Sequence, residues 1–504
     1  MSEVLFGQSY YLRFDPKLWD AMQPYPPLGT MIAASYLRRR GFEVALFDAI
    51  LAESEEAWAQ ALDRERPKYA VLYEDNFNYL SKMCLLRMRE AAYKMLAMAK
   101  GRGCKVVVCG SDASDHIGEY LSKGADYVLI GEGEYTLGEL MDRLSGRTNT
   151  PLETIMGLAH IKDGKPVANP RRPDIQAVDE LPFPAWDLVD VERYRQIWLD
   201  RHGYYSMNMV TTRGCPFHCN WCAKPIWGQR YNARSPENVV AEMKWLKETH
   251  QPDHIWFADD ILGLRPGWLK RFAECVEIED ASIPFKCLNR ADLLLREGEI
   301  GALKRAGCQI AWIGAESGSQ KILDAMEKGT EIEQIHEAIK RLHNAGIQVG
   351  FFLQFGYPGE TLEDIESTLQ MVRDCEPDDI GMSVSYPLPG TKFHAMVRDQ
   401  MGAKQNWTDS SDLAMMYNGP FATDFYRQLH IVLHKEFRMR KTSRQLLAGK
   451  KVSLRRLLGL PYAAVTLPFA RRQLIEYSRL PHRGIQTLPM VADPAAAARP
   501  TQQN

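Results

Sequence analysis

The sequence predicts an α/β protein: an N-terminal Rossmann-like (flavodoxin-like) parallel sheet, a partial (β/α)6 TIM-like barrel, then a helical C-terminal region. Three observations carry this. Short apolar runs alternate with amphipathic helical stretches twice, over residues 1–145 and 201–395. A proline-rich stretch without long periodicity, 146–200, separates the two and reads as a linker. The composition, 45% hydrophobic and 25% charged over 504 residues, is that of a globular chain too long for one core.

In the first unit, "EVLFGQ" reads as a strand and "LGTMIAASYLRRRG" as a helix stopped by Gly41. "FEVALFDA" and "KYAVLY" are the next strands, with "ESEEAWAQALDRER" as the helix between them. The helical "LLRMREAAYKMLAMAKGRG" precedes "CKVVVCGS", and "SDHIGEYLSKG" precedes "ADYVLIGEGE". Five strands with helices between them fit a parallel sheet covered on both faces, whose ligands bind beyond the carboxyl ends of the strands. In the second unit the strands are "SMNMVTTRG", "HIWFADD", "FKCLNRAD", "QIAWIGAESG", "QVGFFLQFGYPG" and "DIGMSVSYPLPG". Ser235 before Pro236 starts the first helix between them. Six β/α repeats make an incomplete barrel with its chemistry at the carboxyl ends of the strands. Residues 396–504 read as helical and basic, ending in a disordered tail, "ADPAAAARPTQQN".

A net charge of −2 argues against a general nucleic-acid-binding surface. The start, "MSEVLFGQSYYLRFDP", lacks a secretion signal, and no run approaches the ~18 apolar residues of a spanning helix. Scattered cysteines argue against a disulfide scaffold. A reducing, cytoplasmic setting is expected. Neither a Walker lysine motif nor a G-x-G-x-x-G after the first strand is present, so nucleotide hydrolysis and NAD binding are poor readings.

The chemistry concentrates in "TTRGCPFHCNWCAKPIW", just after the first barrel strand. Cys215, Cys219 and Cys222 offer three thiolates, which serve either an iron–sulfur cluster or, with His218, a Cys3His zinc site. A four-iron cluster on three cysteines keeps one iron open to a ligand.

This CxxxCxxC loop, with Trp221 before its last cysteine, resembles the radical S-adenosylmethionine superfamily. The resemblance implies a 4Fe–4S cluster on the three cysteines. The amino and carboxylate groups of S-adenosylmethionine would take the open iron. One-electron cleavage would then give a 5′-deoxyadenosyl radical. It further implies that Asp259 or Asp260 in "FADD" meets the methionine amino group, and that Arg290 in "NRAD" meets the carboxylate. Glu316 and Ser317 in "GAESGS" would contact ribose or amino groups, and Trp221 the adenine. The plainer reading of these residues is polar caps, turns and loop filling. "QFGYPGET" and "YPLPGT" are similar to the turns that end the family's fifth and sixth strands.

A Rossmann-like unit ahead of such a barrel looks like the cobalamin-binding class of that superfamily. "PYPPLGTMIAASYLRRRGFEVALFDA" resembles its first loop and helix, and "GADYVLIGEGE" its last strand and loop. The cradle implied is Gly29, Gly110, Ser111, Gly131, Glu132 and Gly133. The DxHxxG of many cobalamin domains is missing, and the only histidine in residues 1–145 is His116, after the fourth strand. Either cobalamin binds without a lower histidine or the unit holds none. The first expected activity is radical cyclisation of a tetrapyrrole-like substrate, or a related rearrangement, as in the anaerobic magnesium-protoporphyrin monomethyl ester cyclase family. The alternative is cobalamin-dependent methylation of an unactivated carbon, and a reading of another class is an iron–sulfur redox sensor. The expected partners are a small or lipid-like substrate and an electron donor such as flavodoxin or ferredoxin.

Between Lys441 and Arg483 stand ten Lys or Arg and one acid, Glu476, around an apolar stretch, which fits peripheral membrane contact or simple packing on the barrel. Pro461 and Pro468 argue against one long helix there. His430 and His434, four apart, form a shared ligand set or a polar helix face.

Overall fold

The computed structural model describes residues 2–222 and 226–480. The first sheet contains β1 (Val4–Gly7), β2 (Val44–Leu46), β3 (Tyr69–Tyr73), β4 (Lys105–Cys109) and β5 (Tyr127–Leu129). They are parallel, in the order β2-β1-β3-β4-β5. Each falls on a strand read from the sequence. Period-two alternation explains the burial on both faces. Leu5, Ala70, Leu72, Val106 and Val108 pack on one face, against Trp58 and Met95. Val4, Phe6, Val71, Val107 and Leu129 pack on the other, against Leu37 and Leu137. The order reverses between β1 and β3, and a parallel sheet opens a crevice at such a point.

The stretch 146–200, read as a linker, carries structure of its own. β6 (Leu158–Lys162) and β7 (Lys165–Ala168) extend the same sheet in antiparallel fashion beyond β5. Asp163 and Gly164, both at positive φ, turn the hairpin between them. That Asp-Gly pair is the signal the linker reading passed over. The helix Val191–His202 follows.

The second parallel sheet has six strands: β8 (Ser206–Met209), β11 (His254–Phe257), β12 (Phe285–Asn289), β13 (Cys308–Glu316), β14 (Gln348–Phe355) and β15 (Asp379–Val384). Their order is β8-β11-β12-β13-β14-β15. All six coincide with predicted strands. A separate two-stranded ribbon, β9 (Thr212–Arg213) with antiparallel β10 (Asn232–Ala233), leaves from the end of β8. The α/β architecture is therefore as expected. Ser235 caps the helix Pro236–His250 through the Asn238 N–H at 3.1 Å, as read from the sequence.

The barrel core continues into the C-terminal region through Phe425, Leu429, Val432 and Leu433 of the helix Thr423–Leu447. Against expectation, Leu454–Ser478 is one helix with both prolines inside. Pro461 and Pro468 are seven apart and exposed, so the lost donors and the carbonyls they uncover face water. The tail 481–504, with its predicted disorder, lies outside the described residues.

Candidate cofactor-binding site

The cysteine loop hangs from the end of β8 and is fixed at both sides. Upstream, the buried Asp259 carboxylate accepts from the N–H groups of Thr211 and Thr212 at 2.7 Å and from both hydroxyls at 2.9 Å. Gly214 turns the chain into the loop at φ +80°, and a Cβ there would lie 2.3 Å from the Arg230 carbonyl oxygen. Only glycine fits. Downstream, Asn220 sits between Cys219 and Cys222. It donates from its backbone to Met326 O at 3.0 Å and from its side chain to Ala325 O at 2.8 Å. Its side-chain oxygen accepts from the Tyr357 hydroxyl at 3.0 Å, and its carbonyl accepts from the Phe393 N–H at 3.0 Å. Cys215 is buried, and Cys219 and Cys222 are half-buried. Among the described residues, no three His, Cys, Asp or Glu side chains converge as ligands of one ion do. A cubane cluster takes one thiolate per iron and does not need that convergence.

The other predicted contacts divide. Asp259 spends its acceptor capacity inside the loop, and burial pushes its pKa up to about 6 against those hydrogen bonds. Asp260 is more exposed and pairs with Lys82 of the first unit at 2.8 Å. Arg290 is buried, with Phe217 at 3.7 Å under its guanidinium. It donates to Asp292 at 3.0 Å, Lys328 O at 2.9 Å and Thr330 Oγ1 at 3.0 Å, which leaves Nη1 toward Cys219 Sγ at 3.9 Å. Glu316 occupies a register irregularity in β13 at φ +58° and pairs with buried Lys328 at 2.8 Å. Ser317 turns away, to Thr368 Oγ1 at 3.2 Å, on the helix Leu362–Cys375. Trp221 packs on the barrel core with its indole nitrogen buried and unpartnered.

The residues expected to cradle a ligand lie at the carboxyl ends of the first sheet's strands. At each glycine, protein fills the space a side chain would take. A Cβ on Gly29 would meet Asp75 at 3.1 Å, on Gly110 Glu74 at 2.9 Å, on Gly131 Arg171 at 3.3 Å and on Gly133 Cys109 Sγ at 2.5 Å. Ser111 donates to Lys82 O at 2.7 Å. Glu132 binds the Arg213 guanidinium at 3.0 Å, and Glu134 binds it at 2.7 Å. The "GEGE" loop thus clamps the strand leading into the cysteines. His116 turns Nδ1 to Asp112 O at 3.0 Å. The rings of His430 and His434 lie 4.2 Å apart, tilted at 51°, and burial lowers both pKa values, that of His434 to about 3.

Sequence reasoning missed a second set of residues. Ser9 Oγ and Tyr10 OH follow β1, and Asn76 Oδ1 and Ser81 Oγ follow β3. All four atoms are buried without a partner. They follow the two strands, β1 and β3, between which the strand order reverses. The segment after β3 also reaches the barrel: Phe77 stacks on Trp227 at 5.1 Å, and Lys82 lies over the same ring. Tyr79, at the start of the helix Tyr79–Met83, leaves 52% of its surface accessible. Even so, burial, then the charges of Cys222 and Glu316, raise the pKa of its phenol. The ring therefore lies near the cysteine loop and Glu316, at the end of the first sheet. No sequence pattern marks these positions, because chain far downstream encloses them.

The barrel end that carries this loop touches the first unit through Lys82 with Asp260 and Phe77 with Trp227. Residues 209–372 match the radical SAM superfamily. Among particular relatives, an uncharacterised methyltransferase of Pyrococcus horikoshii is 32% identical over 56% of this chain and 60% of its own length. The anaerobic magnesium-protoporphyrin IX monomethyl ester cyclase of Rubrivivax gelatinosus is 27% identical over 75% of this chain and 67% of its own. The chain thus spans about three fifths of the length of the first of these relatives. Among solved structures, the cobalamin-dependent S-adenosylmethionine radical enzyme OxsB, with aqua-cobalamin and S-adenosylmethionine bound, superposes with a TM-score of 0.71. That match covers 94% of this chain and 72% of OxsB at 17% identity, a likeness of fold.

Proposed function

We propose that this chain is a cobalamin-dependent radical SAM methyltransferase acting on an unactivated carbon. The observation that supports it is the meeting of two sets of residues where the first unit touches the barrel end. On one side is the three-cysteine loop. On the other are four orphaned buried polar atoms at the switch point of the first sheet. Unsatisfied buried polar atoms are costly, and a polar ligand seated there removes the cost. The donor chemistry fits both groups. Cys215, Cys219 and Cys222 would hold the cluster, with Arg290 screening charge beside Cys219. Ser9, Tyr10, Asn76 and Ser81 would hold cobalamin's polar rim, and Tyr79 would stand between the two cofactors. Glu316 with Lys328, and Asp260, are the polar groups nearest to hand for S-adenosylmethionine. When bound, the cluster supplies the electron that cleaves S-adenosylmethionine, and cobalamin supplies a methyl carrier.

On this reading residues 1–145 are the cobalamin-binding unit, 201–395 the radical unit and 396–504 an appended helical region. The more identical relative named here is a methyltransferase, which favours methyl transfer over the cyclisation placed first in the sequence analysis. Cyclisation stays the second reading because the cyclase relative aligns over more of the chain. A small-molecule substrate and a reduced flavodoxin or ferredoxin complete the system. The test is anaerobic purification with cluster reconstitution and hydroxocobalamin. We expect about one cobalamin per chain, no imidazole nitrogen splitting in the Co(II) electron paramagnetic resonance spectrum, and 5′-deoxyadenosine formation. Replacing any of the three cysteines with alanine should remove most iron and abolish 5′-deoxyadenosine. Full cleavage by those variants, or failure to bind cobalamin, would contradict the proposal.

A further inference from the structure

The helix Leu454–Ser478 is apolar on two opposite faces. One face carries Ala463, Leu467, Ala470 and Leu474, buried where the helix lies along its partner Thr423–Leu447. Gln428 holds it there through Ala470 O at 2.9 Å, and Lys435 through Thr466 Oγ1 at 2.9 Å. The other face carries Leu454, Leu458, Tyr462, Val465 and Phe469, spaced by four, four, three and four residues. At helical periodicity they form one stripe about 22 Å long. All five are exposed, Leu458 at 66% and Phe469 at 70%. A surface helix normally turns charge outward, and one that is apolar all round is normally covered on every side. A continuous stripe of this kind marks a binding surface.

Charge indicates what covers it. Over 450–480 there are seven Lys or Arg and a single acid, Glu476, which is held by Arg472 at 3.2 Å. Lys450, Lys451, Arg455 and Arg456 crowd one end of the stripe, and Arg472 and Arg479 the other. Two copies pressed stripe to stripe would set basic ends against basic ends in either orientation, which opposes pairing. An anionic lipid surface satisfies both features: the stripe enters the acyl boundary and the arginines meet the headgroups. The helix lies on such a surface and does not cross it. Among the described residues, no helix is long and apolar enough to span.

We infer that the outer face of Leu454–Ser478 docks this protein on anionic membrane surfaces. The inference stands apart from the reaction assigned above. The test floats the full chain with vesicles of phosphatidylcholine alone or with phosphatidylglycerol added. Binding should be roughly tenfold or more stronger on the anionic vesicles and should weaken with salt. Leu458→Asp with Phe469→Asp should abolish it while iron content and melting temperature stay unchanged. Should that variant misfold, Arg455→Glu with Arg456→Glu should remove the anionic preference alone. Equal binding to both vesicle types, or unchanged binding by these variants, would overturn the inference. So would a lipid-free dimer that Phe469→Asp dissolves, since a second copy would then own the stripe. Binding that appears only after deletion of 481–504 would assign it to the chain's own tail.

Discussion

Asn220 shows how a residue without chemistry of its own decides a site. Four hydrogen bonds tie it to chain more than a hundred residues away, and they hold Cys219 and Cys222 against the barrel. Asn220→Ala removes the two side-chain bonds, while the Tyr357 hydroxyl still donates to Ala325 O at 3.0 Å, so the loss is about 1–2 kcal/mol. Reconstituted iron content should fall well below wild type, with the cysteines intact; full iron loading would show that the loop holds itself. Glu74 gives a test by pH. Burial pushes its pKa up to about 7, although the Ser9 N–H bonds its carboxylate. A carboxyl raised on folding keeps its proton in the folded chain after the unfolded chain has released it. Stability is therefore fully present below the ordinary carboxylate range, falls as pH climbs toward 7, and is level above. Glu74→Gln does not titrate. Its melting temperature relative to wild type should rise between the ordinary carboxylate range and about pH 7, by the equivalent of roughly 3 kcal/mol at most. A constant gap would contradict this account. At this scale the cysteines were legible, because CxxxCxxC is a local pattern. Asn220, Tyr79 and the orphaned atoms were not, because their roles depend on neighbours remote in sequence. Asp259 was legible as important, though the structure spends its oxygens on Thr211 and Thr212.

At the scale of elements, the clamp between β9 and the loop after β5 joins the two sheets. Arg213, Glu132 and Glu134 are all buried. Arg213→Met would strand two carboxylates in the interior and should cost roughly 3–5 kcal/mol in urea unfolding. Adding Glu132→Gln and Glu134→Gln to it should recover much of that. A single variant as stable as wild type would mean that solvent reaches the clamp. Periodicity placed all eleven parallel strands, because alternating burial on a two-sided sheet leaves a mark in every strand. It missed β6, whose buried part is only three residues long, and the exposed edge strand β7, because neither is long enough to carry that mark. The C-terminal helix was misread because proline was weighed without regard to face. On the exposed side of a packed helix, water satisfies the carbonyls that proline uncovers.

At the scale of the whole molecule, the central proposal is that the first sheet holds cobalamin as the methyl carrier for chemistry begun at the cysteine loop. The α/β fold was readable in the sequence, and the choice between methyl transfer and ring closure was not, because no residue marks a methyl acceptor. One measurement addresses it without the substrate. The cobalamin-loaded, reconstituted protein is reduced anaerobically and given S-adenosylmethionine deuterated in its methyl group. The cobalamin is then extracted for mass spectrometry and the nucleoside products are counted. The account predicts deuterated methyl on the extracted cobalamin with a matching amount of S-adenosylhomocysteine. Unlabelled cobalamin, with 5′-deoxyadenosine as the only nucleoside product, would contradict it.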